Sequence, residues 1–208
     1  EKLTYDVLSR MQHIKKVDFR MNLLSLLPSE TTKFSLLEYL THLDVRDNQI
    51  PDLDIRSLKG LEYLNCERND MHSLQVNGTS LKNLLASHNA LETFSVNPKP
   101  EWIINIEMSH NKLKSLPTWL SECFFLLKLD ISFNQLTKLP EMLFVEAQKL
   151  KVLKANHNKI KKFPEDVRRT LLEELNLEHN DIETVPADLF IQASKLRYLN
   201  LTGNKIEE

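Results

Sequence analysis

The stretch Leu126-Leu127-Lys128-Leu129-Asp130-Ile131-Ser132-Phe133-Asn134-Gln135-Leu136-Thr137-Lys138-Leu139-Pro140 decides how the rest of the chain is read. Leu126, Leu129 and Ile131 precede an asparagine, and Leu136 and Leu139 follow it, giving LxxLxLxxNxLxxL. Around Leu129 and Ile131 apolar and polar residues alternate, which marks a short strand with one face buried and one free. The asparagine stands where the chain leaves the strand, and its amide there satisfies backbone groups that the turn leaves without ladder partners. Pro140 has no N–H to donate, so pairing ends there.

The same pattern recurs on Asn22, Asn48, Asn69, Asn89, Asn111, Asn158, Asn180 and Asn204, with neighbouring asparagines 20 to 26 residues apart. Pattern and period together are those of leucine-rich repeats, in which stacked neighbours bury a core that no single repeat closes alone. We therefore expect an α/β leucine-rich repeat solenoid of nine repeats, a curved horseshoe with a parallel β-sheet on its concave face and an irregular or briefly helical convex side. Leu27-Pro28, Leu116-Pro117, Leu139-Pro140, Phe163-Pro164 and Val185-Pro186 end pairing after the turn. Leu143, Phe144 and Ala147, and likewise Leu189, Phe190 and Ala193, have helical spacing and predict short helices roofing the convex side. Repeats three and four return in fewer residues, with room for a turn or one tight helical loop. Residues 1–208 read as one repeat domain. Leu3, Val7, Leu8 and Met11 make 1–13 the remainder of a preceding repeat, and the last repeat is cut short at Glu208. With neither a start Met nor the layout of a signal peptide, the chain is expected to be a fragment of a longer protein.

Charge and composition narrow the function. The formal net charge is −2, so no general pull toward nucleic acid or an anionic membrane exists. Apolar runs such as Phe124-Phe125-Leu126-Leu127 fall far short of the roughly 20 residues that span a bilayer. Cys66 and Cys123, far apart, form neither a disulfide framework nor a CxxC pair, which fits a reducing, intracellular setting. Asn77-Gly78-Thr79 and Asn200-Leu201-Thr202 match the glycosylation sequon, a short pattern without meaning inside the cell. With only 3 glycines and no GxSxG, HExxH or P-loop, the chain offers no catalytic centre. Asp18 and Asp44 stand beside Arg20 and Arg46, which favours ion pairing over an acid/base dyad.

Function is then expected on the outward strand positions and the adjoining turn. The N-terminal end is of mixed charge: Lys15, Lys16, Asp18 and Arg20, then His42, Asp44, Arg46 and Asp47, then Glu62, Tyr63, Glu67 and Arg68. In the middle repeats Leu85, Ile104, Leu127, Phe133 and Val152 take outward or turn positions where polar groups are usual, and these are the candidate anchors for a protein partner. The position before the asparagine carries His88, His110, His157 and His179. Neighbouring repeats bring His88 toward His110 and His157 toward His179. A pair of imidazoles can share a metal or respond to pH, but a structural zinc needs four ligands and no cysteine joins them, so no metal site is assigned. The partner-binding candidates are His42, Arg46, Tyr63, Arg68, Leu85, His88, Ile104, His110, Leu127, Phe133, Val152, His157 and His179.

Four strings carry a resemblance beyond the generic repeat: LTHLDVRDNQIPDLD at Leu40 to Asp54, LEYLNCERND at Leu61 to Asp70, SLKNLLASHNALETFSVNPKP at Ser80 to Pro100 and LFIQASKLRYLNLTGN at Leu189 to Asn204. With Cys66 at an inward position ordinarily held by leucine, they resemble the repeat region of the PH domain and leucine-rich repeat protein phosphatases, the PHLPP family. The resemblance covers most of residues 40–208 and is weaker toward the N-terminus. It implies an intracellular, cytoplasmic parent with peripheral membrane association and a PPM-type serine/threonine phosphatase domain downstream. That domain would hold Mn or Mg and act on Akt and related kinases; this chain itself is expected to hold no cofactor and no catalytic residue. The expected role is to recruit a kinase substrate or scaffold protein. Two other classes remain open: a non-enzymatic signalling or polarity adaptor, and an extracellular receptor ectodomain, which requires cysteine-clustered caps that this chain does not show.

Overall fold

The computed structural model describes residues 10–25, 37–164, 167, 171–187, 193 and 195–207. Two compact units result, Glu1–Ile103 and Ile104–Glu208. The first holds strands β1 (Lys16–Asp18), β2 (His42–Asp44), β3 (Asp52–Ile55), β4 (Tyr63–Asn65), β5 (Ser73–Val76), β6 (Asn83–Leu85) and β7 (Ser95–Val96). The second holds β8 (Asn105–Glu107), β9 (Lys128–Asp130), β10 (Val152–Lys154), β11 (Glu174–Asn176) and β12 (Tyr198–Asn200). In the first unit β1, β2, β4 and β6 pair in parallel in that order, and in the second β8 to β12 do so consecutively. Register places each repeat position opposite its equivalent, as in Leu43, Leu64 and Leu84 or Leu129, Leu153 and Leu175, all fully buried.

Between those leucines the asparagines form the ladder that their spacing predicts, in more detail than spacing reveals. Asn134 Nδ2 donates to the carbonyls of Ile131 and Ser132 in its own turn and of Met108 in the preceding repeat, while its Oδ1 accepts the Leu113 N–H. Asn48, Asn69, Asn158 and Asn180 repeat this arrangement, each receiving an N–H from the repeat before. Each amide thus satisfies buried backbone groups of two successive repeats. The turn that aims it inward demands a left-handed residue immediately before it. Met21, Asp47, Arg68, His88, His110, Phe133, His157, His179 and Gly203 all have φ between 49° and 72°. A side chain there costs about 1 kcal/mol or more, and Asp and His tolerate it better than most, which gives the recurrent histidines a structural reason.

The return segments differ between the units. In the second, Thr118–Glu122 forms a 3-10 turn after Pro117, and helix α1 (Leu143–Glu146) buries Leu143 and Phe144 beside Ala147. The irregular or helical return expected from the sequence holds there. In repeats two to four it is corrected: β3, β5 and β7 pair in parallel as a second sheet, with Leu53 opposite Leu74 and Val76 opposite Val96. A return too short for a helix stays extended, and alternating stretches such as Asp-Leu-Asp-Ile bury every second residue. Leu3, Val7, Leu8, Leu27-Pro28, Leu189 and Phe190 lie outside the described residues. Cys66 and Cys123 are free and buried, Cys66 at the inward position expected of it; burial pushes its thiol far above the ordinary range, with the charges of Glu67 and Asp44 adding to the effect.

Gly78 occupies a point where no side chain fits, since an added Cβ would collide with the Pro98 carbonyl oxygen and come within 2.9 Å of Val96 Cγ1. The neighbouring Asn77 is buried and donates from Nδ2 to the Arg56 carbonyl at 2.8 Å, so the nitrogen that a glycan would need is already engaged. Three substitutions test this account by urea denaturation. Asn134→Ala lowers stability by about 3 kcal/mol, whereas Asn22→Ala, whose exposed amide bonds among the described residues to the Phe19 and Arg20 carbonyls of its own turn, costs under about 1 kcal/mol. Equal losses would show that the ladder bonds between repeats carry no particular weight. Gly78→Ala is expected to destabilise by about 2 kcal/mol through overpacking.

Candidate functional site

On the strand face of the first unit, charge is paired locally. Asp18 and Asp44 are register partners, but each binds its own arginine, Arg20 Nε at 3.0 Å and Arg46 Nε at 3.4 Å, and each Oδ1 also accepts the N–H two residues on. These aspartates shape the turn. Arg68 reaches Asp47 at 4.0 Å and Lys82 reaches Glu62 at 2.9 Å. His42 stacks on Tyr63 with centroids 5.7 Å apart. Leu85, half-buried in β6, stands opposite Asn65. His88 takes the left-handed position.

In the second unit the apolar candidates separate into two groups. Ile104 and Leu127 immediately precede β8 and β9, 37% and 38% exposed, and the Leu127 N–H donates to the Ile104 carbonyl at 2.8 Å, so the two sit on adjacent repeats as one small patch. Val152 is half-buried at the start of β10, opposite Lys128 and Glu174. Phe133 lies past the other end of β9 and is drawn into a different feature.

That feature is a stack of four rings. Repetition of the left-handed position in successive repeats projects His110, Phe133, His157 and His179 at nearly the strand spacing of about 4.8 Å. Centroids are 4.1 Å apart from His110 to Phe133, 4.3 Å from Phe133 to His157 and 4.6 Å from His157 to His179, with the first two pairs within 12° of parallel. At the end of the column Gly203 makes room for His179: an added Cβ would lie 2.5 Å from its Nδ1. The pairing of His157 with His179 expected from the sequence is present, but Phe133 as the bridge between histidines was not foreseen. Its being in the same column was readable, because it too precedes an asparagine.

Two further residues escaped sequence reasoning. Glu178 places Oε1 3.7 Å from His179 Nε2, and Asn200 Nδ2 donates to Glu178 Oε2 at 3.0 Å. Glu178 adjoins His179 in the chain, whereas Asn200 reaches Glu178 from the neighbouring strand, where Asn200 stands opposite Asn176. On β8, Glu107 is half-buried, which opposes its ionisation, but hydrogen bonds from Lys128 Nζ at 2.7 Å and Asn105 Nδ2 at 3.2 Å outweigh burial and hold its carboxyl below the ordinary carboxylate range. Among the described residues no helix is long and apolar enough to cross a membrane.

Stacked parallel strands, the asparagine ladder and inward leucines define a leucine-rich repeat protein, and the leucine-rich repeat family models match residues 37–58, 122–138 and 167–206. The repeat region is similar to that of the PHLPP family, as the sequence strings indicate. It is 41% identical over 122 residues to the PH domain leucine-rich repeat-containing protein phosphatase 1 of Mus musculus, covering 59% of this chain and 7% of that protein. It is 42% identical over 88 residues to the protein phosphatase PHLPP-like protein of Drosophila melanogaster, covering 41% of this chain and 9% of that one. The chain thus spans less than a tenth of these relatives. Among solved structures, the leucine-rich repeat domain of APL1B shares the fold with a TM-score of 0.81 at 24% identity, covering 97% of this chain and 58% of that one.

The Glu107 environment makes a pH-dependent prediction. A depressed carboxyl contributes stability that is fully present above its unfolded value and lost as pH falls through the folded one. Wild type is therefore more stable than Glu107→Gln at neutral pH, by less than about 1 kcal/mol for a pair that is only half-buried. The difference should close in acid below the usual carboxylate range; urea midpoints measured across pH read it, and a gap that persists in acid would refute it.

Proposed function

We propose that this chain is the protein-docking part of a longer, intracellular serine/threonine phosphatase, and that its strand face receives the proteins brought to a metal-dependent catalytic domain elsewhere in the polypeptide. The observation that carries the reading is the 41% identity over 122 residues to a protein named as a PH domain leucine-rich repeat-containing phosphatase. The exposed Ile104 and Leu127 pair and the ring column beyond β9 support a binding role, since clustered apolar and aromatic side chains resemble interface anchors. The partners are scaffold proteins or phosphorylated kinases of the Akt type, in keeping with the family resembled. Manganese or magnesium belongs to the catalytic domain, and turnover lies outside this chain.

Two measurements test the proposal. The isolated chain supplied with Mn2+ should hydrolyse no phosphoester; metal-dependent turnover would overturn it. In the parent protein, Leu127→Ser with Phe133→Ala should weaken kinase binding at least about tenfold by surface plasmon resonance, while circular dichroism stays unchanged. Unaltered binding would remove the strand face from the role. A parent without a metal phosphatase domain would leave a non-enzymatic adaptor instead.

A further inference from the structure

We infer that His157, Glu178 and His179 form a binding site for a divalent transition-metal ion of the zinc and copper type, on the strand-turn surface of the second unit. One ligand atom from each residue can be chosen so that all three lie within 4.8 Å of one another. At metal bonds of about 2.1 Å, tetrahedral ligands stand about 3.4 Å apart. Closing the gap takes movement of little more than about 1 Å, a small rotation of the half-buried His157 and Glu178 and the exposed His179 side chains.

Neighbouring groups already bring the three residues near this arrangement without any ion. His157 N–H donates to the Glu178 carbonyl at 2.8 Å, which locks the two repeats in register at this point. The His157 ring lies between Phe133 at 4.3 Å and His179 at 4.6 Å, so it presents its edge. His179 packs over Gly203 on its Nδ1 side, leaving Nε2 toward Glu178. Asn200 holds Glu178 Oε2 and so directs Oε1 to the imidazole. A hydrogen bond that orients a ligating carboxylate in this way raises metal affinity.

Donor type selects the ion. Two imidazole nitrogens and one carboxylate oxygen suit zinc, copper or nickel, whereas calcium and magnesium require shells made largely of oxygen. Three protein ligands leave a fourth position for water, unlike the closed four-ligand shell of a structural zinc site. This site does not depend on the phosphatase reading and involves no catalytic ion.

The test titrates ZnCl2 into the folded chain without an affinity tag, by calorimetry and by 1H–13C spectra of the histidine rings. One ion per chain is expected, shifting His157 and His179 resonances and leaving His13 and His72 in place. His179→Ala and His157→Ala should each weaken binding by more than about tenfold, and Asn200→Ala by about tenfold. Circular dichroism verifies that each variant is folded. Absence of saturable binding, ring shifts located at other histidines, or affinity unchanged in His179→Ala would each overturn the assignment. Because the ring spectra of the unaltered chain locate the ion by themselves, a variant that failed to fold would not leave the question open.

Discussion

Everything in this structure depends on how the asparagine amide satisfies the carbonyls of two successive repeats at once. Buried leucines supply most of the favourable free energy, but that force has no direction and would accept many stackings. A buried carbonyl without a donor costs about 1–3 kcal/mol, so only the stacking that places each Nδ2 between the two turns is tolerated. The interval between asparagines can therefore vary, through return segments of strand, 3-10 turn or helix, while the strand and turn stay constant.

The same constraint manufactures the candidate binding surface. A chain that turns inward at asparagine must take a left-handed residue just before it, and that residue projects outward at the strand spacing. Whatever occupies the position becomes a column. In the second unit the occupants are His110, Phe133, His157 and His179, and they stack. In the first unit Asp47 and Arg68 pair instead. A single backbone rule thus yields an aromatic ladder on one unit and an ion pair on the other, and the chemistry of recognition differs accordingly.

Charge on the strand face works in a related way. Lys82 with Glu62, Lys128 with Glu107 and Lys151 with Glu173 each join one repeat to the next at 3.2 Å or less. Such exposed pairs add little stability, under about 1 kcal/mol each. In the second unit both pairs adjoin Leu127, since Lys128 follows it in the chain and the Lys151 N–H donates to its carbonyl.

The sequence by itself determined the repeat boundaries, the parallel strands, the inward leucines and the resemblance to phosphatase repeats, because each is a matter of local periodicity or of contiguous strings. It also placed the recurrent histidines in one column, since each precedes an asparagine. Tertiary structure alone decided the second sheet, where the short returns meet side by side. It decided that Phe133 joins the histidines while Ile104 and Leu127 stand apart, because these residues lie at opposite ends of their strands. Glu178 is the chain neighbour of His179, but its approach to His157 and its bond from Asn200 come from register between neighbouring repeats, a relation between residues about one repeat apart that no local pattern encodes.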